Sequence, residues 1–173
     1  MTQSISEQEL EFTFEDPVLL VRFDDDATHG MSHVMKRVDF IVRFATVTFL
    51  IEVKDPDCQS VPAAVVAKQR ASFRHKMRTG ALYRRELLPK LRDTLVYLAL
   101  SNRAPENRIK YIIVLGMAAL TPATLLTAQE HLKRLCYLPG PFKADWPSEF
   151  EVIVVNLATW NSRLAPHSVM RVP

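Results

Sequence analysis

Three short, almost unbroken apolar runs constrain this chain most: Phe49-Leu50-Ile51-Glu52-Val53, Ile109-Lys110-Tyr111-Ile112-Ile113-Val114-Leu115-Gly116 and Phe150-Glu151-Val152-Ile153-Val154-Val155-Asn156-Leu157. Each has strand length and is rich in β-branched residues. None shows the apolar-polar alternation of a strand with one wet face, so each reads as a strand in a sheet covered on both sides. Helical patterns lie between them. One runs from Pro62 to Thr79-Gly80, with Ala63, Ala64, Val66 and Ala67 as its small apolar side. A second starts near Pro89 and carries Leu91, Leu95, Leu98 and Ala99 to Ser101-Asn102, and a third runs from Thr121-Pro122 through Leu135. Pro suits a first helical turn and Gly a helix end. The expectation is an α/β fold in one domain spanning residues 1–173: a mixed central sheet with an antiparallel hairpin, flanked by helices.

The hairpin is the stretch from Val38 to Lys54. Val, Ile, Phe and Thr dominate both of its arms, and Ala45-Thr46 is the natural point of reversal. That register sets Asp39 opposite Glu52. Residues two apart on a strand share a face, as do directly opposed residues, so Asp39, Glu52 and Lys54 project to one side. Two carboxylates and an ammonium then converge. A hard divalent cation such as Mg2+ or Mn2+ takes a few carboxylate oxygens and keeps several waters, leaving room for phosphate oxygens of a substrate. Such an ion polarises a phosphate, and a neighbouring lysine positions water or offsets developing charge.

Glu-x-Lys is also common on exposed strand faces, where an acid opposite it is an ordinary cross-strand pair worth a few tenths of a kcal/mol. What separates this instance is its setting. Phe49, Leu50, Ile51 and Val53 make the strand apolar on both sides, and charges facing a covered side need partners or an ion.

Asp39 with Glu52-Val53-Lys54, followed by a helical segment, resembles the PD-(D/E)XK phosphodiesterase superfamily of restriction-endonuclease-like nucleases. The resemblance implies that Asp39, Glu52 and the backbone carbonyl of Val53 bind the metal and that Lys54 assists the attacking water. It spans about Val18 to Val155 in order of elements, with the motif confined to the hairpin. Val38 stands where the family often has Pro, and Gln69-x-x-x-Phe73 loosely resembles the Gln-x-x-x-Tyr helix motif of the exonuclease-like branch. The activity implied is a Mg2+- or Mn2+-dependent cleavage of nucleic acid, with a DNA endonuclease as the leading expectation. A further acid, Glu11 or Glu15, would reach the metal if the N-terminal element were a helix. That element stays open, because Ser6-x-x-Glu9 fits a capping box while Leu10, Phe12 and Phe14 alternate as in a strand.

Charge is lopsided although the net value is only +3. Acids crowd the first 26 residues, and bases crowd the segment after the hairpin. Lys36, Arg37, Lys68, Gln69, Arg70, Arg74 and Lys76 are the candidate nucleic-acid contacts, by counterion release from phosphates. The loop histidines His29 and His33 read as solvated. Two alternatives stand beside the nuclease: a non-catalytic nucleic-acid-binding module, and a subunit of a larger assembly. A homodimer suits an enzyme that cuts both strands of a duplex. Cys58 and Cys136 form no paired motif, and no signal-peptide pattern or membrane-length apolar run occurs, so a reducing, cytoplasmic compartment with no membrane partner is expected.

Overall fold

In the computed structural model, residues 1–25, 34–136 and 150–172 are described. His29, Gly30 and His33, and the Pro139–Pro147 loop, lie outside them. The chain runs β1 (Thr2–Glu7), β2 (Leu10–Glu15), β3 (Leu19–Arg22), β4 (Phe40–Arg43), β5 (Val47–Lys54), α1 (Ala63–Thr79), a π-helical segment (Leu82–Leu87), α2 (Leu88–Leu100), β6 (Arg108–Leu115), α3 (Pro122–Cys136), β7 (Phe150–Val155), α4 (Leu157–Arg163) and β8 (Ser168–Arg171).

The three apolar runs are the adjacent strands β5, β6 and β7, parallel to one another, and β3 and β4 extend the sheet antiparallel on the β5 side. The fold is therefore α/β with a mixed five-stranded sheet. The hairpin reverses at Ala45-Thr46, where the Phe44 N–H donates to the Val47 carbonyl at 2.8 Å. Both faces of β5 are buried, as its composition requires. Leu50, with Ile41, Tyr111, Ile113 and Leu115, packs under the π-helical segment, α2 and α3. Phe49, Ile51 and Val53 pack on the other side with Leu10, Phe12, Phe14 and Trp160. Each such fully buried side chain contributes about 1.5–3 kcal/mol.

That second face departs from expectation. Flanking helices are the expected cover, but here a three-stranded antiparallel sheet, ordered β1-β2-β8, covers the face together with α4. The alternation of Leu10, Phe12 and Phe14 resolves the N-terminal ambiguity in favour of a strand, because a period of two gives β2 one wholly apolar face while Glu11 and Glu15 point away from it. Trp160 and Asn161 sit in α4. Trp160 stacks edge-on against Phe12 at 5.4 Å, and the Asn161 amide exchanges hydrogen bonds with both backbone groups of Val169, tying α4 to β8.

Helix α1 begins after Pro62 and ends at Gly80, whose φ of 75° is the left-handed conformation glycine adopts without cost. Of its predicted apolar side only Val66 is buried. Ala63, Ala64 and Ala67 face solvent, and Phe73 makes the second buried contact. Four small residues bury too little area to hold a helix down, so the larger Phe73 takes that role. The next helix starts well before Pro89. Leu82–Leu87 forms a wide π turn continuous with α2, in which the Leu88 N–H reaches the Tyr83 carbonyl. Pro89 accounts for it: its ring crowds the carbonyl four residues back and offers no N–H, and a wider turn relieves the clash. The carbonyl in question, that of Arg85, accepts from the Lys36 ammonium at 2.7 Å.

The two sheets are clamped at the carboxyl end of β5. Arg171 on β8 donates from both terminal nitrogens to Asp55, at 2.8 and 2.9 Å, and to Glu9 at 2.8 Å. Gly116 leaves the room for this clamp, since a Cβ there would lie 2.2 Å from Asp55 Oδ1. Gly116→Ala is expected to destabilise the protein by about 1–3 kcal/mol, an overpacking cost that urea denaturation measures. An unchanged midpoint would contradict the clamp.

Candidate functional site

Asp39 stands at the mouth of the hairpin. The β4–β5 ladder runs from Arg43 opposite Thr48 to Phe40 opposite Ile51, and one step further sets Asp39 against Glu52. The ladder closes there. The Asp39 N–H donates to the Ile51 carbonyl at 3.0 Å, and its own carbonyl accepts from the Phe23 N–H at 2.8 Å. Its side chain turns toward β5, where Oδ2 accepts from the Val53 N–H at 2.6 Å. Backbone bonds on both flanks thus fix the carboxylate in place.

Glu52 lies on the helix-covered face of the sheet and has 0% side-chain exposure. Lys54, two residues along the same face, places its ammonium 2.7 Å from Glu52 Oε1. The convergence of Asp39, Glu52 and Lys54 expected from the strand period is therefore present. A fourth group completes it. Lys90 on α2 lies 2.9 Å from Asp39 Oδ1 and 2.8 Å from Glu52 Oε1, and so spans the two acids. Glu52 Oε2 is also buried and has no hydrogen-bond partner among the described residues. A carboxylate oxygen taken from water without a partner costs several kcal/mol, so this atom marks a place for a ligand.

Electrostatics follow from this packing. Burial pushes the Glu52 carboxyl up to about 7, Asp39 adds to the rise by like-charge repulsion, and Lys54 and Lys90 oppose it. Burial alone would depress Lys90, but Glu52 and Asp39 outweigh it and hold the ammonium charged beyond the ordinary lysine range. The negative field of Asp39 reaches further. Glu7 on β1 and Asp24 after β3 are both raised, by burial first and by Asp39 next. Glu7 is also bound by Arg22. The N-terminal acid near the site is thus Glu7. Glu11 and Glu15 lie on the outer side of β2, and the correction follows from the strand replacing a helix.

Helix α2 builds the site from the other side. Asp93 accepts from the Lys36 N–H at 2.9 Å, and the buried Thr94 hydroxyl accepts from the Val38 N–H at 3.1 Å, so α2 grips the segment entering Asp39. The Tyr111 hydroxyl donates to the Leu87 carbonyl at 2.8 Å and ties the π turn to β6. Lys90 is the site residue that the sequence reading passed over. Its signal was present: it falls three residues after Leu87 and four before Thr94, on the buried stripe of the helix.

A groove of about 410 Å³ opens beside the carboxyl end of β5, lined by Gln8, Val53, Lys54, Lys68, Gln69 and Lys76 among others. Three of the seven candidate nucleic-acid contacts, Lys68, Gln69 and Lys76, are thereby brought next to Lys54. Lys76 is paired with Glu86 at 2.8 Å. The other four are elsewhere. Lys36 donates to the Arg85 carbonyl, and Arg37 is buried, donating to the Asp25 carbonyl at 3.0 Å. Arg70 pairs with Asp57 at 2.6 Å, and Arg74 faces a separate cavity with Met77 and Tyr83.

Among the described residues, Glu9, Asp55 and Cys58 bring three potential metal ligands within 4.8 Å of one another. Arg171 already pairs with both acids of that trio, and the Gln59 N–H donates to Glu9 at 2.8 Å. A metal there would displace the clamp between the sheets. Asp39 and Glu52, with an orphaned oxygen, are the better fit for a hard cation. No helix among the described residues is long and apolar enough to cross a membrane. No family model matches the chain, and neither a curated protein nor a solved structure does so.

In metal-free protein the Glu52 carboxyl is expected to titrate near 7, read from the 13C shift of its side-chain carboxyl, and Asp39→Asn is expected to lower that value by removing the like charge. Between pH 4.5 and 7 the folded chain holds this proton more tightly than the unfolded chain, so the stability this group contributes at low pH is lost as pH rises through 7. Titration at an ordinary glutamate value would contradict a burial cost that outweighs the two lysines.

Proposed function

We propose that this chain is a divalent-metal-dependent phosphodiesterase that cleaves nucleic acid, with DNA as the first substrate to test. The observation that carries the proposal is Glu52 Oε2, a buried carboxylate oxygen without a partner among the described residues, beside Asp39 and next to a groove lined by lysines. The order of elements, an antiparallel meander with the acids at its open end, then helices, strand, helix and strand, supports kinship with the restriction-endonuclease-like core.

Asp39 and Glu52 would hold Mg2+ or Mn2+, with the Val53 carbonyl as a third ligand. Bound there, the ion would supply Lewis-acid activation of a phosphate and of water. The chain's own residues do the rest. The Val53 N–H fixes the orientation of Asp39 by its bond to Oδ2. Lys54, one-quarter exposed and lining the groove, faces the place where a scissile phosphate would lie and offsets negative charge gathering on it. Lys68 and the neutral Gln69 amide on α1, with Lys76 held by Glu86, extend the wall along which a phosphodiester backbone would run.

A second reading has a specific observation in its favour. Lys54 and Lys90 already neutralise the two acids, as they would in a nucleic-acid-binding module whose carboxylates are structural. Nicking of supercoiled plasmid by purified protein separates the two. The nuclease reading predicts nicking with Mg2+ or Mn2+, none in EDTA, and losses of at least about a hundredfold in Asp39→Asn, Glu52→Gln and Lys54→Met. An inert wild type that still shifts DNA in a salt-sensitive way would hand the case to the binding module.

A further inference from the structure

We propose that the Lys90 ammonium is a resident placeholder for the metal ion: it holds Asp39 and Glu52 together in the ion-free protein and must withdraw before a divalent cation binds. This inference rests on the metal-site reading above and adds to it a built-in brake on ion binding.

The geometry is specific to Lys90. Lys90 Nζ sits 2.9 Å from Asp39 Oδ1 and 2.8 Å from Glu52 Oε1, bridging the two acids as an ion shared between them would. Lys54 touches only Glu52. Two carboxylates without a cation between them would repel at close range inside a covered sheet, so a metal-free fold needs a positive charge in that position. With both ammonium groups in place the four charges already cancel, and a divalent ion arriving on top of them would meet two like charges at contact distance. Lys90 is the group whose departure empties the shared position. Its side chain is 20% exposed on a flexible four-carbon stem, which leaves the head a route to water or to a phosphate oxygen.

The backbone around Lys90 is firm. Leu87 and Leu91 are buried on either side, the Leu87 carbonyl is held by Tyr111, and Thr94 is bonded to Val38. The exchange is therefore a side-chain movement on a fixed helix. An incoming phosphate that draws the ammonium away would strengthen ion binding, and by reciprocity the ion would strengthen phosphate binding.

Mn2+ binding to the full chain, followed by the loss of the free-ion electron paramagnetic resonance signal, tests this without reference to cleavage. A position held shut about nine-tenths of the time weakens apparent affinity about tenfold, so Lys90→Met is expected to bind Mn2+ about tenfold more tightly than wild type. Lys54→Met removes a neighbouring positive charge without opening the shared position, and its gain is expected to be clearly smaller. Equal gains in the two variants, or none in Lys90→Met, would overturn the placeholder role. Asp39→Asn distinguishes this failure from a deeper one: if it binds Mn2+ as wild type does, the ion is elsewhere and the metal-site reading fails with the inference. Should Lys90→Met lose its circular-dichroism signature in EDTA, Lys90→Gln carries the same comparison, with a neutral donor of similar reach.

Discussion

A carboxylate with no exposed surface, set in the middle strand of a sheet that is covered on both faces, is the constraint around which this molecule is arranged. Glu52 follows Leu50 on the same side of β5 and would cost several kcal/mol if left alone there. Its neighbours answer that cost in part. Lys54 comes from the strand's own period and Lys90 from a helix laid across it, yet both reach Oε1 and neither satisfies Oε2. The wide turn before α2 belongs to the same arrangement. Pro89 alters the phase of the helix, and the residue that follows it points a charged head at the sheet.

Asp39 is held by a different logic. Its backbone is the last rung of one ladder and the first contact with the next strand, and its side chain bonds the backbone of Val53. The two acids are therefore unequal. Asp39 has a partner for each oxygen, whereas Glu52 is the group that burial drives towards protonation near neutral pH. That asymmetry makes Glu52 the more demanding of the pair, and a cation between them would relieve it most.

Much of this was readable in the sequence, for reasons tied to local period. Strand alternation placed Asp39, Glu52 and Lys54 on one face, and the unbroken apolar runs marked β5, β6 and β7 as strands of a sheet covered on both sides. Lys90 was not readable by the same means. Its direction depends on helical phase, and a proline mid-pattern looked like a helix start rather than the cause of a π turn. The small sheet has no local signature, because β2 pairs with β1 on one side and with β8, at the far end of the chain, on the other. Likewise the alanines of α1 looked like a packing face, but Phe73 anchors that helix and the alanines stay in solvent. Of the basic residues, those already bonded to the protein, such as Arg37 and Arg70, could not be told by sequence from those lining the groove.

A cation site at Asp39 and Glu52 would show in the anomalous difference map of a crystal soaked in Mn2+. One strong peak is expected between Asp39 and Glu52, within ligand distance of Glu52 and with the Lys90 head withdrawn. A map with no peak there, or with its peak at Glu9, Asp55 and Cys58, would contradict it.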